Sequence, residues 1–336
     1  MKLPSGKVPK HILQNTVFSH LGVARKEVII GPAFGVDGAV IKLGEKTLIT
    51  SMDPITGAIE RIGWLAVNIN ANDVSTFGVE PAFFSSCLML PEASSEEAVA
   101  TICQQMDAAA KKLNISITGG HSEVTPMLTF PIVVGCCVGV AEKECYVTSK
   151  GAKPGDLLIL TKSVGLEGTA ILATDRFNQL LTELPKSTLL RAQRFFGDIS
   201  VVNEAVLAFK TGCVTAMHDP TEGGVIGGIF EMAAASGVGF RVFEDAIPIA
   251  DETKAVSKFF GIDPLQLIAS GSLLISAGRA HGERVLIALR ESGVEASAIG
   301  EFLPAITEHE IVHYDGRTEK LRPPRCDHLW TALKAS

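Results

Sequence analysis

Residues 63–81 carry a conflict that any fold of this chain has to resolve. Apolar positions at Ile62, Leu65, Ala66, Ile69 and Phe77, with the methyl of Thr76, recur at helical spacing, and Gly78 and Pro81 end the pattern. The segment is therefore expected to form a core helix. Its middle is nevertheless polar, because Asn68, Asn70, Asn72 and Asp73 fall within six residues. Amides and carboxylates compete for backbone hydrogen bonds and are poor helix-interior residues. Either these side chains are satisfied at a contact with neighbouring elements, or the helix presents a metal or phosphate site from inside the protein.

With 336 residues, 46% of them hydrophobic, the chain is long enough for two domains that each bury a core. Net charge is -7 and no Lys/Arg-rich run stands out, so nucleic acid is not an expected partner. No apolar h-region follows Met1, and the longest apolar run, Pro131 to Ala141, is too short to span a bilayer. No membrane association and a cytoplasmic location are expected. The seven cysteines show no C-x-x-C spacing and read as reduced, with Cys136 and Cys137 as core residues rather than zinc ligands.

Taken in order, the chain opens with a short amphipathic segment, His11 to Leu21, behind a tip in which Lys7 stands either as a solvated lysine or as a mobile phosphate-reaching one. A hairpin follows, with Asp37 at the start of one strand and Asp53 at the end of the next, so both carboxylates fall toward the same end of the pair. After the polar-centred helix come a strand (Ala82 to Leu90) and a helix from Ser94 to Leu113, with Ser94 as N-cap and Glu97 three residues on. A short strand, Ile115 to Thr118, then runs into Gly119, Gly120 and His121, where paired glycines let backbone N–H groups approach an anion. Strand Phe130 to Ala141 closes this half, and residues 150–156 read as the turn into the second.

The second half alternates strands and helices: strand Leu157 to Thr161, helices between Ser187 and Lys210 broken near Gly197, and strands at Val238 to Phe243, Ser270 to Ser276 and Ala298 to Leu303. Its most informative loop is Met217-His218-Asp219-Pro220-Thr221-Glu222-Gly223-Gly224, opening the helix that carries Glu231. Asp219 and Thr221 are suited to cap that helix, and the positive helix terminus with two glycines is suited to an anion; a capped turn with no ligand is the plainer outcome. No P-loop, strand-linked G-x-G-x-x-G, G-x-S-x-G or H-E-x-x-H is present. What remains is carboxylates (Asp37, Asp53, Asp73, Asp219) beside glycine loops, a set suited to Mg²⁺ held partly by substrate phosphates.

Gly-Val-Asp-Gly-Ala-Val-Ile, Thr-Ser-Met-Asp-Pro, Asn-Ala-Asn-Asp-Val, Thr-Gly-Gly-His-Ser and His-Asp-Pro-Thr-Glu-Gly-Gly occur in that order. Together they resemble the aminoimidazole ribonucleotide (AIR) synthase, or PurM-like, superfamily from about residue 6 to residue 303. The resemblance implies an α/β (α+β) fold: an N-terminal domain over residues 1–148 whose sheet joins that of a second subunit into a barrel, a ferredoxin-like α/β domain over 149–322, and a tail over 323–336. It implies ATP between the domains, with Asp37, Asp53, Asp73 and Asp219 holding Mg²⁺. Asp37, Asp53, Asn72, Gly119, Gly120, His121, Thr221, Gly223 and Gly224 would contact the nucleotide, and Asp73, His121 and Asp219 would act in catalysis. His121 and His218, the histidines of these loops, are each either proton carriers or structural hydrogen-bonding groups.

The chemistry implied is use of the ATP γ-phosphoryl group to activate a carbonyl or amide oxygen of a small molecule or modified side chain, by a homodimer. A small-molecule kinase resembling thiamine-monophosphate kinase, or a nucleotide-binding scaffold without turnover, are the alternatives. The His-Asp-Pro-Thr loop is most similar to the HypE branch, which usually has Arg where Glu222 stands here. Pro324-Arg325-Cys326 is similar to that branch's cysteine-bearing tail, but here an apolar Leu329/Trp330/Leu333 patch follows and is expected to dock on the body.

Overall fold

The computed structural model describes Leu3, residues 5–56 and residues 58–334. Met1, Lys2, Pro4 and Gly57, with Ala335 and Ser336 of the expected tail, lie outside the described residues. The first half contains α1 (Lys10–Ile12), β1 (Val28–Ile30), β2 (Ala39–Leu43), β3 (Lys46–Ile55), α2 (Ile62–Ser75), β4 (Pro81–Leu90), α3 (Glu96–Lys112), β5 (Ser116–Val124) and β6 (Ile132–Glu142). Its strands form one open sheet in the order β1-β2-β3-β6-β4-β5. α2 lies against β3 and β6, with α3 beside it.

The second half contains β7 (Leu157–Thr161), α4 (Leu166–Asp175), α5 (Phe177–Leu180), α6 (Lys186–Arg194), α7 (Val202–Lys210), β8 (Val214–His218), α8 (Gly224–Ser236), β9 (Gly239–Phe243), α9 (Asp251–Phe260), β10 (Leu274–Ala277), α10 (Gly282–Glu291), β11 (Ala296–Leu303), β12 (His309–Val312), β13 (Thr318–Lys320) and α11 (His328–Lys334). Its sheet runs β13-β12-β9-β11-β7-β10-β8. This is a mixed α/β chain with two sheets, neither closed within one protomer, and the second has seven strands where a ferredoxin-like sheet has four.

Several local expectations shift for identifiable reasons. The cap of α3 is Ser95, whose hydroxyl accepts from Ala98 N–H, one residue later than expected. The His11–Leu21 segment is helical only as far as Val17 and buries none of those residues. β5 does not stop at Thr118 but continues through the glycine pair to Val124, because Gly120 and its neighbours pair in parallel with β4. A Cβ on Gly120, whose φ is +152°, would fall 1.9 Å from the Ser86 carbonyl oxygen, so the close strand contact excludes a side chain there.

α2 resolves the conflict in its sequence by burying every side chain of its span except the partly covered Trp64. Leu65, Val67 and Phe77 are in the core, which continues into the second half through Ile171, Leu189, Val256 and Leu329. Truncating such a residue costs about 2–5 kcal/mol. The three asparagines are hydrogen-bonding supports with different duties. Asn68 Nδ2 donates to the Trp64 carbonyl at 2.8 Å, one turn back, while its Oδ1 is buried without a partner among the described residues. Asn70 ties the helix to β3, accepting from Asp53 N–H at 2.8 Å and donating to the Asp53 carbonyl at 3.2 Å. Asn72 crosses to the second half, donating to Ile199 O at 2.8 Å and accepting from Val201 N–H at 2.9 Å.

Candidate active site

Asp73, one step beyond Asn72, is the polar residue of α2 that points into a site. It is 5% exposed, and Ser51 Oγ donates to its Oδ2 at 2.5 Å from β3. β3 also carries Asp53 near its end, and Asp37 stands just before β2, the neighbouring strand. The second half contributes the end of β8: His218 is its last residue and Asp219 follows. Asp37, His218 and Asp219 each offer a ligand atom within 4.8 Å of the others.

The electrostatics are severe. Asp219 is 1% exposed and neither of its oxygens has a hydrogen-bond partner among the described residues; Asp37 Oδ2 is likewise buried and unpartnered. Burial pushes Asp219 well above the usual carboxylate range, Asp37 adds to the effect and His218 opposes it. Asp73 is also pushed well above that range, by burial first and then by the charges of Asp53, Asp219 and Asp37. Burial raises Asp53 to about 6, Lys7 opposing and Asp37 and Glu222 assisting. The four aspartates thus act on one another across the seam between the halves, and Asp37 and Asp219 approach, with His218, to metal-sharing distance.

His218 answers part of this charge. Its Nε2 lies 3.1 Å from Glu231 Oε2 on α8, and its Nδ1 lies 2.7 Å from Asp37 Oδ1, a contact with the length of a hydrogen bond but not its angle. Burial alone would lower its pKa, but Asp37 and Glu231 outweigh burial and carry it to about 10. Burial likewise disfavours charge on Glu231, which Lys7 and His218 nonetheless bring down to about 2. An imidazolium with both nitrogens turned to carboxylates is a counter-ion rather than a metal ligand. The donors left over are oxygens, a set that fits a hard divalent cation.

The N-terminal tip completes the cluster. Lys7 Nζ lies 3.3 Å from both Glu231 oxygens, and its main-chain N–H donates to Glu222 at 2.7 Å. Burial would depress its ammonium, but Glu231, Asp53 and Asp37 raise it, while 49% of the side chain remains exposed and screened by water. Glu222 therefore latches the tip in place.

Other expected residues lie elsewhere. Asn72 is fully committed to Ile199 and Val201 and is not brought to the cluster. Gly120 stands in the same row across the sheet as Asp53, through Gly135 and Ser86, which puts it three strand spacings, about 14 Å, away. Gly119, Gly120 and His121 sit on an exposed edge strand, and His121 Nε2 contacts Glu123 at 3.0 Å.

The α8 N-terminus is also not the open anion site expected of Thr221, Gly223 and Gly224. Gly223 (φ +88°) is its N-cap without a side-chain cap, and the Thr221 carbonyl accepts from Gly224 N–H at 3.0 Å. Gly223 N–H donates instead to Asp327 Oδ2 at 2.7 Å, while Ile268 and Leu329 N–H donate to Asp327 Oδ1 at 3.2 and 2.7 Å. Sequence reasoning missed Asp327; its one local signal is its place just before α11, where an Asp accepts from the helix. Leu329 is buried with this tail, Leu333 packs against the same core, and Cys326 is exposed.

Two α/β halves thus meet at a seam of buried, unpartnered carboxylates whose oxygens suit a hard cation. Residues 35–141 match the family model for the AIR synthase related protein N-terminal domain, and residues 153–309 match that for its C-terminal domain. A Methanocaldococcus jannaschii protein named as a hydrogenase expression/formation protein is 27% identical over 316 residues, 91% of this chain and 90% of its own. The carbamoyl dehydratase HypE of Azotobacter vinelandii is 29% identical, covering 76% of this chain and 72% of that one. The crystal structure of hydrogenase maturation protein HypE in complex with ATP shares the fold at a TM-score of 0.72 and 21% identity, over 96% of each chain. The chain belongs to the AIR synthase related family, on its HypE-like branch.

Proposed function

We propose that this chain is an ATP- and Mg²⁺-dependent enzyme that uses the ATP γ-phosphoryl group to activate a carbonyl or amide oxygen, which then leaves as phosphate. Three oxygens carry the assignment: Asp219 Oδ1, Asp219 Oδ2 and Asp37 Oδ2 are buried without partners. Likeness to a carbamoyl dehydratase supports the reaction class, because removing water from an amide requires its oxygen to become a leaving group. Likeness to the ATP-bound HypE supports the nucleotide.

Mg²⁺ bound there would neutralise charge on the transferring phosphoryl group. Asp37, Asp73 and Asp219 would hold it, with Asp53 at the rim of the same charge cluster. Ser51 keeps Asp73 oriented, and His218 positions Asp37 and Glu231 without itself meeting substrate. Lys7, held by Glu222 and Glu231, stands where its ammonium neutralises incoming phosphate. Gly119, Gly120 and His121 would meet the outer end of the nucleotide.

We place the domain division at 1–148 and 149–322, with a tail over 323–336, since the first sheet ends at Glu142 and the second begins at Leu157. A homodimer is part of the proposal. The sheet face away from α2 exposes Met52 (64%), Phe83 (44%) and Val140 (41%), a surface suited to a second copy of the same sheet.

Phosphate release and Mg-ATP binding by calorimetry, in wild type and Asp73→Asn with candidate amide substrates, test the proposal. Hydrolysis should fall by about 10²-fold or more in the variant. Unchanged binding and turnover would remove the site assignment, and accumulation of a stable phosphorylated product would assign a kinase instead.

A further inference from the structure

Away from the acidic seam, a cavity of about 380 Å³ opens between the two halves, within the about 300–1,000 Å³ range of small-molecule sites. Its wall combines Arg61 and Trp64, at the beginning of α2, with Gln193 and Arg194 of α6 and Phe196 and Gly197 of the turn after it. Trp64 and Asp73 are nine residues apart on one helix, which sets them on opposite faces and about 13 Å apart along the axis. The cavity is thus separate from the aspartate cluster.

Two of its backbone carbonyls are already in use. Trp64 Nε1 donates to the Phe196 carbonyl at 2.7 Å, and Lys112 Nζ donates to the Gly197 carbonyl at 3.2 Å while standing 5.5 Å from the centre of the Trp64 ring system. Its strongest donors are not. Arg191, one turn before Arg194, pairs with Glu252, and Arg176 donates to the Leu333 carbonyl. Arg61 and Arg194, which line it, are both exposed and make no side-chain hydrogen bond or ion pair among the described residues. A cavity with two unpaired guanidiniums is complementary to an anion, and the indole beside them is complementary to a flat ring.

We propose that this cavity binds a small aromatic anion, a phosphate monoester or carboxylate on a flat ring, with Arg61 of one half and Arg194 of the other closing on its charged group. Such a ligand ties the two halves together at the end of the seam remote from Asp73. The site goes beyond the phosphoryl-transfer proposal and does not depend on it.

The test is titration of phenyl phosphate into the full chain, by calorimetry on the unaltered protein and by fluorescence in Trp330→Phe, which leaves Trp64 as the one tryptophan of the two. A saturable change in Trp64 emission is expected. Affinity should weaken about tenfold in Arg61→Gln or Arg194→Gln and vanish in the double variant. Competition by benzoate would identify a carboxylate as sufficient, and its failure would identify the phosphate as required. Asp219→Asn should leave the titration unchanged, which separates this site from the Mg-ATP site. Absence of saturation into the millimolar range, undiminished binding in the double variant, equal binding of neutral phenol, or loss of binding in Asp219→Asn would each overturn the proposal.

Discussion

Asp219 and Asp327 are buried to the same degree, 1% and 2% exposed, yet their surroundings differ completely. Asp327 accepts three backbone N–H groups and thereby fills the positive end of α8. Asp219 accepts none and faces another carboxylate. A buried carboxylate with its partners supplied by the chain holds the fold together; two that face one another without partners mark a place where a counter-charge from outside fits. Both regions looked like anion or metal sites from composition alone, and only the hydrogen-bond inventory separates them.

The sharpest way to break this comparison is Asp219→Asn. ATP hydrolysis should fall by about 10²–10³-fold, while the melting temperature rises because repulsion with Asp37 is relieved. A parallel loss of activity and stability, measured by phosphate release and thermal melts, would mean that Asp219 is structural after all. Asp327→Ala should do the reverse. Freeing the N–H groups of Gly223, Ile268 and Leu329 costs about 2–4 kcal/mol in urea denaturation, with Asp327→Asn recovering much of it and Mg-ATP affinity at the seam unchanged.

Glu167, 3% exposed with Oε2 unpartnered, sharpens the case by pH. Burial raises it from 4.5 to about 7, the neighbouring Ser270 opposing and the charge of Asp327 adding to the shift. The native protein therefore keeps a proton that the unfolded chain releases. The resulting stabilisation, roughly 3 kcal/mol, is complete below about 4.5 and is lost as pH rises through about 7. Urea midpoints on either side of that window should differ in wild type and coincide more closely in Glu167→Gln.

The smallest effect is expected at Asn72→Ala, which unpairs Ile199 O and Val201 N–H and costs about 1–3 kcal/mol. Mg-ATP affinity of the folded variant should stay within a factor of about two, since both amide atoms serve the backbone. Calorimetry showing a tenfold loss would return Asn72 to the nucleotide site.

Much of the architecture was legible because it is written locally. The apolar period of α2, the hairpin that places Asp37 and Asp53 toward one end, and the strand–helix alternation after Leu157 all follow from spacing and turn residues. Of the alternatives left open for Asn68 and Asn70, Asn70 provides hydrogen-bonding support to β3, whereas Asn68 bonds only within α2. Local pattern failed where a strand continued through glycines, at Gly119 and Gly120, because pairing with β4 overrides the turn preference of the pair. It failed again at the α8 terminus, where the ligand of Gly223 comes from a residue 104 positions away.

By itself the sequence determined which residue types the seam would contain: aspartates beside turns, a histidine at a strand end, a helix polar in the middle. Those follow from propensity and period, which act over a few residues. Only the tertiary structure decided which of these charges would be paired. His218 becomes a counter-ion because Asp37 and Glu231 reach it from different elements, Asp219 stays bare because nothing does, and Asp327 closes a helix end that short-range rules left open. Burial and charge pairing depend on distances between remote segments, and those distances are set by packing rather than by any stretch of the chain read alone.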